Sequence, residues 1–380
     1  MNATTQSDTK NLQDVQLLSD ELYLYIRFLL WSLILILSLH AVFINILNIL
    51  VFYTIGLIDS VSACFFCLSV ADMISMITLL YCACTTVYSL ISQAGHWVVP
   101  LNLLVFRLLF TSTDISAAIT TYIAIQRAVC VAFPFFARHF FNRNKSLAVI
   151  TALVVIFMAC TLPSVASMRL LVAADPQTNS SVARLLFTPT FTLTNKFFLF
   201  FVKIGLLFIE QVVMGICLIV TAYGIVSSRK MRALFSLPSS AAKPKPDREG
   251  WTKETQPTGD GLKPGAYNDG SKKQNRQIVP EIDERQKKRL NKEFRAIKQS
   301  VIVVLVHMIC VTPRMTLSIL NLVEPRFSLQ GQNKNLFDAT YLGLNVNDCI
   351  NALVNFFVYF RFNDAFRTTV NSLMSRARSN

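Results

Sequence analysis

The chain has 380 residues, of which 53% are hydrophobic and 15% charged, with a net charge of +14. Soluble globular proteins carry about 25% charged residues, so this composition excludes a soluble enzyme. The apolar residues fall into separate runs, and a run of about 20 such residues spans a bilayer. We therefore predict a polytopic membrane protein. The net positive charge does not require a nucleic-acid partner, because cytoplasmic loops beside anionic lipid are rich in Lys and Arg.

The N-terminal residues 1–27 are mostly polar, and no apolar run precedes the first long one, which indicates that no cleavable signal peptide is present. Seven apolar runs follow and predict an all-α membrane protein, a seven-transmembrane helix bundle over residues 28–360. The predicted spans are Leu29–Ile55, Val61–Ser89, Val99–Val131, Leu147–Met168, Phe197–Val226, Ile297–Leu322 and Phe337–Phe360.

Residues 229–293, between the fifth and sixth spans, are rich in Lys, Pro, Gly and Ser and poor in apolar residues. Such a segment cannot bury enough surface to fold, so we predict a disordered loop. Near its end, the acids that follow Pro280 precede a basic group over 287–292. That order suits a helix dipole, so the sixth helix is expected to extend well beyond the membrane.

The C-terminal residues 361–380 carry an apolar side chain every three or four positions, at Phe362, Phe366, Val370 and Leu373. With polar residues between them, this spacing predicts a short amphipathic helix that lies in the plane of the membrane.

The orientation of the bundle follows from its positive charges, because basic loops stay cytoplasmic. A dense group of Lys and Arg lies between Arg229 and Lys298, while the short loops alone divide almost evenly. This assigns the N-terminus to the outside, but long loops weigh less in the rule, and the motifs described below settle the orientation independently. The glycosylation sequons at Asn2 and Asn179 then face outward, and the one at Asn144 is a chance match in a cytoplasmic loop.

Asp72 is an ionisable residue deep in the second apolar run, and such residues are costly in a bilayer and functional by default. Polar residues accompany it in other spans: Asn48, Ser116, Asn351 and Asn355. One carboxylate with neutral oxygens suits a hard cation in a small wet cavity.

Short motifs occur in five of the seven spans. The first three spans carry Asn48-Ile-Leu-Val, Leu-Ser-Val-Ala-Asp72 and Ile-Ala-Ile-Gln-Arg127. The sixth carries Cys310-Val-Thr-Pro313, and the seventh Asn355-Phe-Phe-Val-Tyr359. In this order and spacing the chain resembles a rhodopsin-like (class A) G-protein-coupled receptor. Its Gln-Arg-Ala-Val-Cys-Val run is also similar to divergent chemosensory and orphan receptors of invertebrates.

The resemblance implies a plasma-membrane receptor whose partners are an extracellular ligand and a heterotrimeric G protein. By position, Arg127 matches the arginine that engages the G protein, and Glu293 the acid that pairs with it in the inactive state. Tyr223 and Tyr359 match two tyrosines that approach each other on activation. Pro313 matches the kink that lets the cytoplasmic half of the sixth helix swing outward.

The resemblance also identifies Asp72, Ser116, Asn351 and Asn355 with the allosteric sodium site of the family, and it implies no other cofactor. The alternative is a protonated Asp72 that is hydrogen-bonded to Asn355, because burial favours the neutral form of a carboxyl.

The chain departs from the family pattern at several positions. Gln126 replaces the acid that precedes the arginine, so one restraint on the inactive state is missing. Val311 replaces the usual tryptophan of the sixth helix, and Phe356 replaces the usual proline of the seventh. Asn102 stands where the third helix offers a cysteine, and Arg169–Lys196 contains no cysteine to meet it. The disulfide of the family is therefore expected to be absent.

Two ligand classes are disfavoured. Leu109 occupies the position at which amine receptors place an aspartate, and the seventh span has no lysine to bind retinal. Charged and polar residues in the outer half either pair with one another, since an unpaired buried charge is costly, or hold a zwitterion or peptide terminus. The candidate pocket residues are Lys203, Glu210, Gln211, Arg314 and Asp348, with Asp114 as a further charge.

The expected function is a cell-surface receptor that transmits the binding of a peptide or small polar molecule to G proteins. A small-molecule transporter is the first alternative, although the sequence has no internal repeat of the kind common in transporters. A non-signalling seven-helix scaffold is the second, suggested by Gln126 and Val311. No nucleophile–base set indicates an enzyme.

Overall fold

The computed structural model describes residues 17–92, 98–174, 181–235, 271–324, 326–328 and 331–379. The helices are α1 (Asp20–Ile55), α2 (Ser60–Ser92), α3 (Val98–Ala132), α4 (Pro134–Phe140), α5 (Arg143–Ala166), α6 (Phe191–Phe197), α7 (Leu207–Phe235), α8 (Ser271–Val323), α9 (Lys334–Phe362) and α10 (Asp364–Ser379). Strands β1 (Met168–Ala174) and β2 (Ser181–Phe187) precede α6, and a π-helix over Phe198–Leu206 joins α6 to α7.

All seven predicted spans coincide with helical segments. Six described helices are long and apolar enough to cross a membrane: Asp20–Ile55, Ser60–Ser92, Leu101–Ala132, Arg143–Ala166, Phe200–Ser227 and Phe294–Val323. The seventh predicted span lies in α9, whose apolar character is diluted by four asparagines and an aspartate between Asn345 and Asn355.

Helix α1 begins earlier than its apolar run, at Asp20 rather than Leu29. The Ser19 hydroxyl caps it by accepting a hydrogen bond from the Leu22 amide at 3.4 Å. Asp20 and Glu21 in the first turn also stabilise it, because acids there oppose the positive end of the helix dipole. The helix ends at Gly56, whose φ of 84° is a backbone conformation that favours glycine.

The chain divides into two compact units, Tyr223–Arg295 and the remainder. The loop between the fifth and sixth spans is shorter than the predicted 229–293, because α7 continues to Phe235 and α8 begins at Ser271. The start of α8 confirms the predicted extension of the sixth helix beyond its apolar run. Both extensions continue long apolar helices, and adding residues to an existing helix needs no new nucleus. Residues 236–270 lie outside the described part of the chain.

In the larger unit the helices define two ends. Asn335 at the start of α9 donates to the Asp20 carboxylate at 2.7 Å, and we call this the Asp20 end. Ser60 at the start of α2 is hydrogen-bonded to Ser146 at the start of α5, with 2.5 Å between their hydroxyl oxygens. Arg127 lies near this second pair, which marks the Arg127 end.

The C-terminal amphipathic helix is confirmed as α10, and its apolar face packs on the bundle. Phe366 and Val370 are buried. The Phe366 ring lies 5.2 Å from the ring of Phe52 on α1 and 5.7 Å from that of Tyr359 on α9, measured between centroids. Phe65 of α2 completes the cluster, 4.9 Å from Tyr359. These rings therefore join α10 to three spans at the Arg127 end.

A β-hairpin connects α5 to α6, which the all-α prediction missed. Strands β1 and β2 pair antiparallel from Met168↔Phe187 to Ala174↔Ser181, and β1 begins at the residue predicted to end the fourth span. At the base of the hairpin, the Thr188 amide and hydroxyl both donate to the Ser167 carbonyl at 3.0 Å. Neighbouring strand edges thereby satisfy backbone groups that a helix would have satisfied internally.

The nine cysteines are all free thiols in the structure. Asn102, which replaces a cysteine of the family disulfide, is buried instead among hydroxyl groups of α2. Thr85 donates to the Asn102 side-chain oxygen at 2.9 Å, and the Asn102 amide donates to the Thr86 hydroxyl at 3.1 Å. Hydrogen bonds thus tie α3 to α2 at this position.

Candidate functional site

Asp72 lies on α2 inside the bundle, with only 3% of its surface exposed. The Ser116 hydroxyl of α3 donates to one carboxylate oxygen at 2.5 Å, and the Asn355 amide of α9 donates to the other at 2.9 Å. The predicted residues Asp72, Ser116 and Asn355 are therefore in contact, and they join three helices.

Asn351 does not join this group. Its side-chain nitrogen lies 3.4 Å from the Nδ1 atom of His307 on α8. The donor set at Asp72 provides a carboxylate and a hydroxyl oxygen, as a hard cation requires. However, Asn355 presents its amide nitrogen to Asp72, and an amide N–H group does not bind a cation. This arrangement is the one expected for the alternative, in which Asp72 is hydrogen-bonded to Asn355.

Two buried ion pairs lie between the Asp72 level and the Asp20 end. The Lys203 ammonium of the π-helix is 2.6 Å and 2.7 Å from the two Asp114 oxygens, and it donates also to the Phe110 carbonyl at 3.2 Å. An ammonium has three protons to donate, so these bonds satisfy Lys203. On the other side, Arg314 of α8 is paired with Asp348 of α9 and donates to the Asn345 side chain at 3.1 Å.

Glu210 and Gln211 of α7 are buried, with 7% and 8% of their surfaces exposed. Neither polar atom of the Gln211 amide has a hydrogen-bond partner within the described chain. The same holds across the bundle for the Tyr341 hydroxyl and the Arg314 Nε. Buried polar groups are rarely left unsatisfied, so these atoms mark a place where a polar molecule or water can bind.

Of the predicted pocket residues, Lys203, Arg314 and Asp348 are therefore in internal ion pairs, whereas Gln211 is not satisfied. Sequence reasoning missed Asn345 and Tyr341. Both lie on α9 at helical spacing from Asp348, three and seven residues before it, and this spacing is a signal that could have identified them.

At the opposite end, Arg127 of α3 is 8% exposed. Its Nε donates to the Ser300 hydroxyl of α8 at 2.9 Å, and its Nη2 is buried with no hydrogen-bond partner among the described residues. Gln126, the preceding residue, points elsewhere: its amide donates to the Ser60 hydroxyl at 2.6 Å. The sequence identified Arg127 but gave no sign of Ser300.

The remaining predicted switch residues are placed as follows. Tyr359 is fully buried in the aromatic cluster at the Arg127 end, and α8 runs through Pro313 without interruption. Tyr223 is exposed and belongs to the smaller unit. The backbone of Glu293 lies in α8, but its side chain is outside the described residues. The sequons at Asn2 and Asn179 also lie outside them.

Comparison of the chain with curated proteins finds no match. Comparison with family models finds the 7 transmembrane receptor (rhodopsin family), which matches residues 44–359 and so covers most of the chain. The match includes all seven predicted spans except the start of the first, and with them Asp72, Arg127 and Pro313 in their order. It confirms the seven-helix prediction, and it identifies a family of receptors rather than of enzymes, whose members bind extracellular ligands and G proteins. The chain is a multi-pass membrane protein that belongs to the rhodopsin family of seven-transmembrane G-protein-coupled receptors.

Proposed function

We propose that this receptor lies in the plasma membrane with the Asp20 end outside, and that it couples an extracellular peptide or small polar ligand to heterotrimeric G proteins. The observation that carries the proposal is Arg127, a buried guanidinium near the end of α3 that donates a hydrogen bond to Ser300 of α8. A charge in that position is available to a protein that displaces α8.

The ligand is proposed to bind at the level of the two ion pairs. Lys203 is satisfied by Asp114 and Phe110, so it is a poor anchor for a ligand charge. Gln211 and Tyr341 have buried polar atoms without partners in the described chain. A ligand with both donors and acceptors, such as a zwitterion or a peptide terminus, satisfies these atoms at once.

We further propose sodium as an allosteric ion at Asp72 and Ser116, with glycans at Asn2 and Asn179. When bound, the ion supplies a positive charge beside a buried carboxylate. Asp72 and Ser116 provide oxygens to hold it, and Asn355 has to turn its amide oxygen inward to join them.

The test uses the purified receptor in nanodiscs with each class of purified heterotrimeric G protein and a screen of peptides and small polar molecules. We expect at least one ligand to accelerate nucleotide exchange on one G protein. Arg127→Ala should abolish this exchange and leave ligand binding intact. The control is Arg361→Ala, an exposed arginine at the end of α9, which should retain it.

The same screen separates the alternatives. Uptake of a hit into proteoliposomes without nucleotide exchange would indicate a transporter. Binding without exchange on any G protein class would indicate a non-signalling scaffold.

A further inference from the structure

The contact between Arg127 and Ser300 is a buried bond between two helices. Both residues are almost inaccessible, at 8% and 1% exposed, and the Arg127 Nε donates to the Ser300 hydroxyl at 2.9 Å. The hydroxyl proton is used elsewhere, because Ser300 donates to the Ala296 carbonyl at 3.1 Å. A lone pair of the hydroxyl oxygen therefore faces the guanidinium, and a bond to a charged donor is stronger than a neutral one.

A neutral network anchors the α3 end of this bond. The Gln126 amide donates to Ser60 at 2.6 Å, the Ser60 and Ser146 hydroxyls are hydrogen-bonded at 2.5 Å, and the Tyr122 hydroxyl lies 2.9 Å from Ser146. These bonds fix the end of α3 to α2 and α5. Because Gln126 is neutral and engaged there, it supplies no charge to Arg127.

Arg127 forms no ion pair with any residue whose side chain the structure describes. Beside it is a crevice of about 10 Å³, large enough for one water molecule. Thr221 and Cys217 of α7 line the crevice with Ser300. Its walls supply one hydroxyl besides Ser300 and no carboxylate, so Ser300 is the described group that holds the guanidinium.

We propose that Ser300 is a positioning residue that acts through Arg127. Its hydroxyl holds α8 against α3 in the silent receptor, in place of the acid that Gln126 has replaced. The inference rests on the proposed function, since it assigns a regulatory role to the same arginine. Because the Ser300 side of this latch, the Arg127–Ser300 bond, is neutral, the latch itself should depend less on ionic strength than an ion pair would.

The key variant is Ser300→Ala, which removes only the hydroxyl. A hydrogen bond to a charged group contributes enough that its loss should shift the ratio of open to closed receptor about tenfold. Ser300→Thr keeps a hydroxyl and should behave as the unmutated receptor. The matched control is Ser318→Ala, because the Ser318 hydroxyl bonds only the Arg314 carbonyl of its own helix, at 3.0 Å.

The experiment measures amide hydrogen exchange over residues 296–304 in nanodiscs without G protein, and then basal nucleotide exchange with G protein. We expect Ser300→Ala to accelerate amide exchange about tenfold, with thermal stability close to that of Ser318→Ala, and to raise the basal signal. Unchanged amide exchange in Ser300→Ala, or equal acceleration in Ser318→Ala, would overturn the latch. Accelerated amide exchange with no G-protein response in any variant would support the latch and reject G-protein coupling.

Discussion

The Lys203–Asp114 pair gives the most direct test of how the bundle is held together. The two side chains are 11% and 8% exposed, and the ammonium lies also over the Phe110 ring, 4.8 Å from its centroid. Lys203→Met keeps the length of the side chain and removes its charge. Asp114 then loses its ion-pair partner while it stays buried.

Removing one partner of a buried ion pair destabilises a protein by about 3–5 kcal/mol, mainly through the charge that remains. We expect Lys203→Met to lower the free energy of unfolding by about this amount. The double variant Lys203→Met/Asp114→Leu removes both charges. Apolar replacement of a whole buried pair is often neutral or stabilising, so this variant should recover most of the loss.

The assay is thermal unfolding of the purified receptor in detergent, followed by a thiol-reactive or intrinsic fluorescence signal. Lys196→Met serves as the control, because Lys196 is an exposed lysine at the end of α6 and its loss should shift stability by less than about 0.5 kcal/mol. A double variant no more stable than Lys203→Met would refute the pairing argument. An unchanged free energy of unfolding in Lys203→Met would also refute it. Lys203 would then contribute little to stability and would be available to a ligand.

Three further predictions concern sodium binding, the absence of a disulfide and the role of Glu293. Replacing potassium with sodium at ten times its dissociation constant should stabilise the receptor by about 1.4 kcal/mol; Asp72→Asn should abolish the effect, and equal melting in both salts would favour a protonated Asp72. Mild dithiothreitol should leave the melting temperature unchanged, whereas loss of a disulfide worth about 2–4 kcal/mol would lower it visibly and show that two thiols are paired. Glu293→Ala should raise ligand-independent signalling at matched surface expression, because the family resemblance implies that this acid pairs with Arg127 in the inactive state; an unchanged basal signal would leave Ser300 as the restraint.

The sequence predicted the helices, because a helix depends mainly on residues that are close to one another in the chain. A long apolar run becomes a spanning helix whatever surrounds it, so all seven spans were found. Apart from the start of α1 and the extensions of α7 and α8 into polar sequence, their ends were missed by only a few residues. The earlier start of α1 depends on the Ser19 cap, which extends a helix into polar sequence. The hairpin was missed because the apolar residues up to Met168 continue the pattern of the fourth span, and the pairing of Met168 with Phe187 is a contact between segments far apart in the sequence.

The sequence predicted some residues of the candidate site but not the contacts between them. Asp72, Ser116 and Asn355 were found because buried polar residues in apolar runs are conspicuous. Asn351, predicted with them, is hydrogen-bonded to His307 in the structure. Helical spacing gives a face but not the side-chain rotation. Ser300 could not be predicted, because nothing in the sequence distinguishes a serine that faces a guanidinium from any other serine in a helix.

Two groups of hydrogen bonds bear on how the protein folds in the cell. One joins Asn102 to Thr85 and Thr86, and the other joins Thr188 to Ser167. Such bonds form as soon as the helices and the hairpin meet, and they need no oxidant or isomerase. The native fold is then reached without sorting correct from incorrect pairings among nine thiols. Synthesis in a reducing cell-free system, inserted directly into nanodiscs, should therefore yield the same receptor as passage through an oxidising secretory compartment.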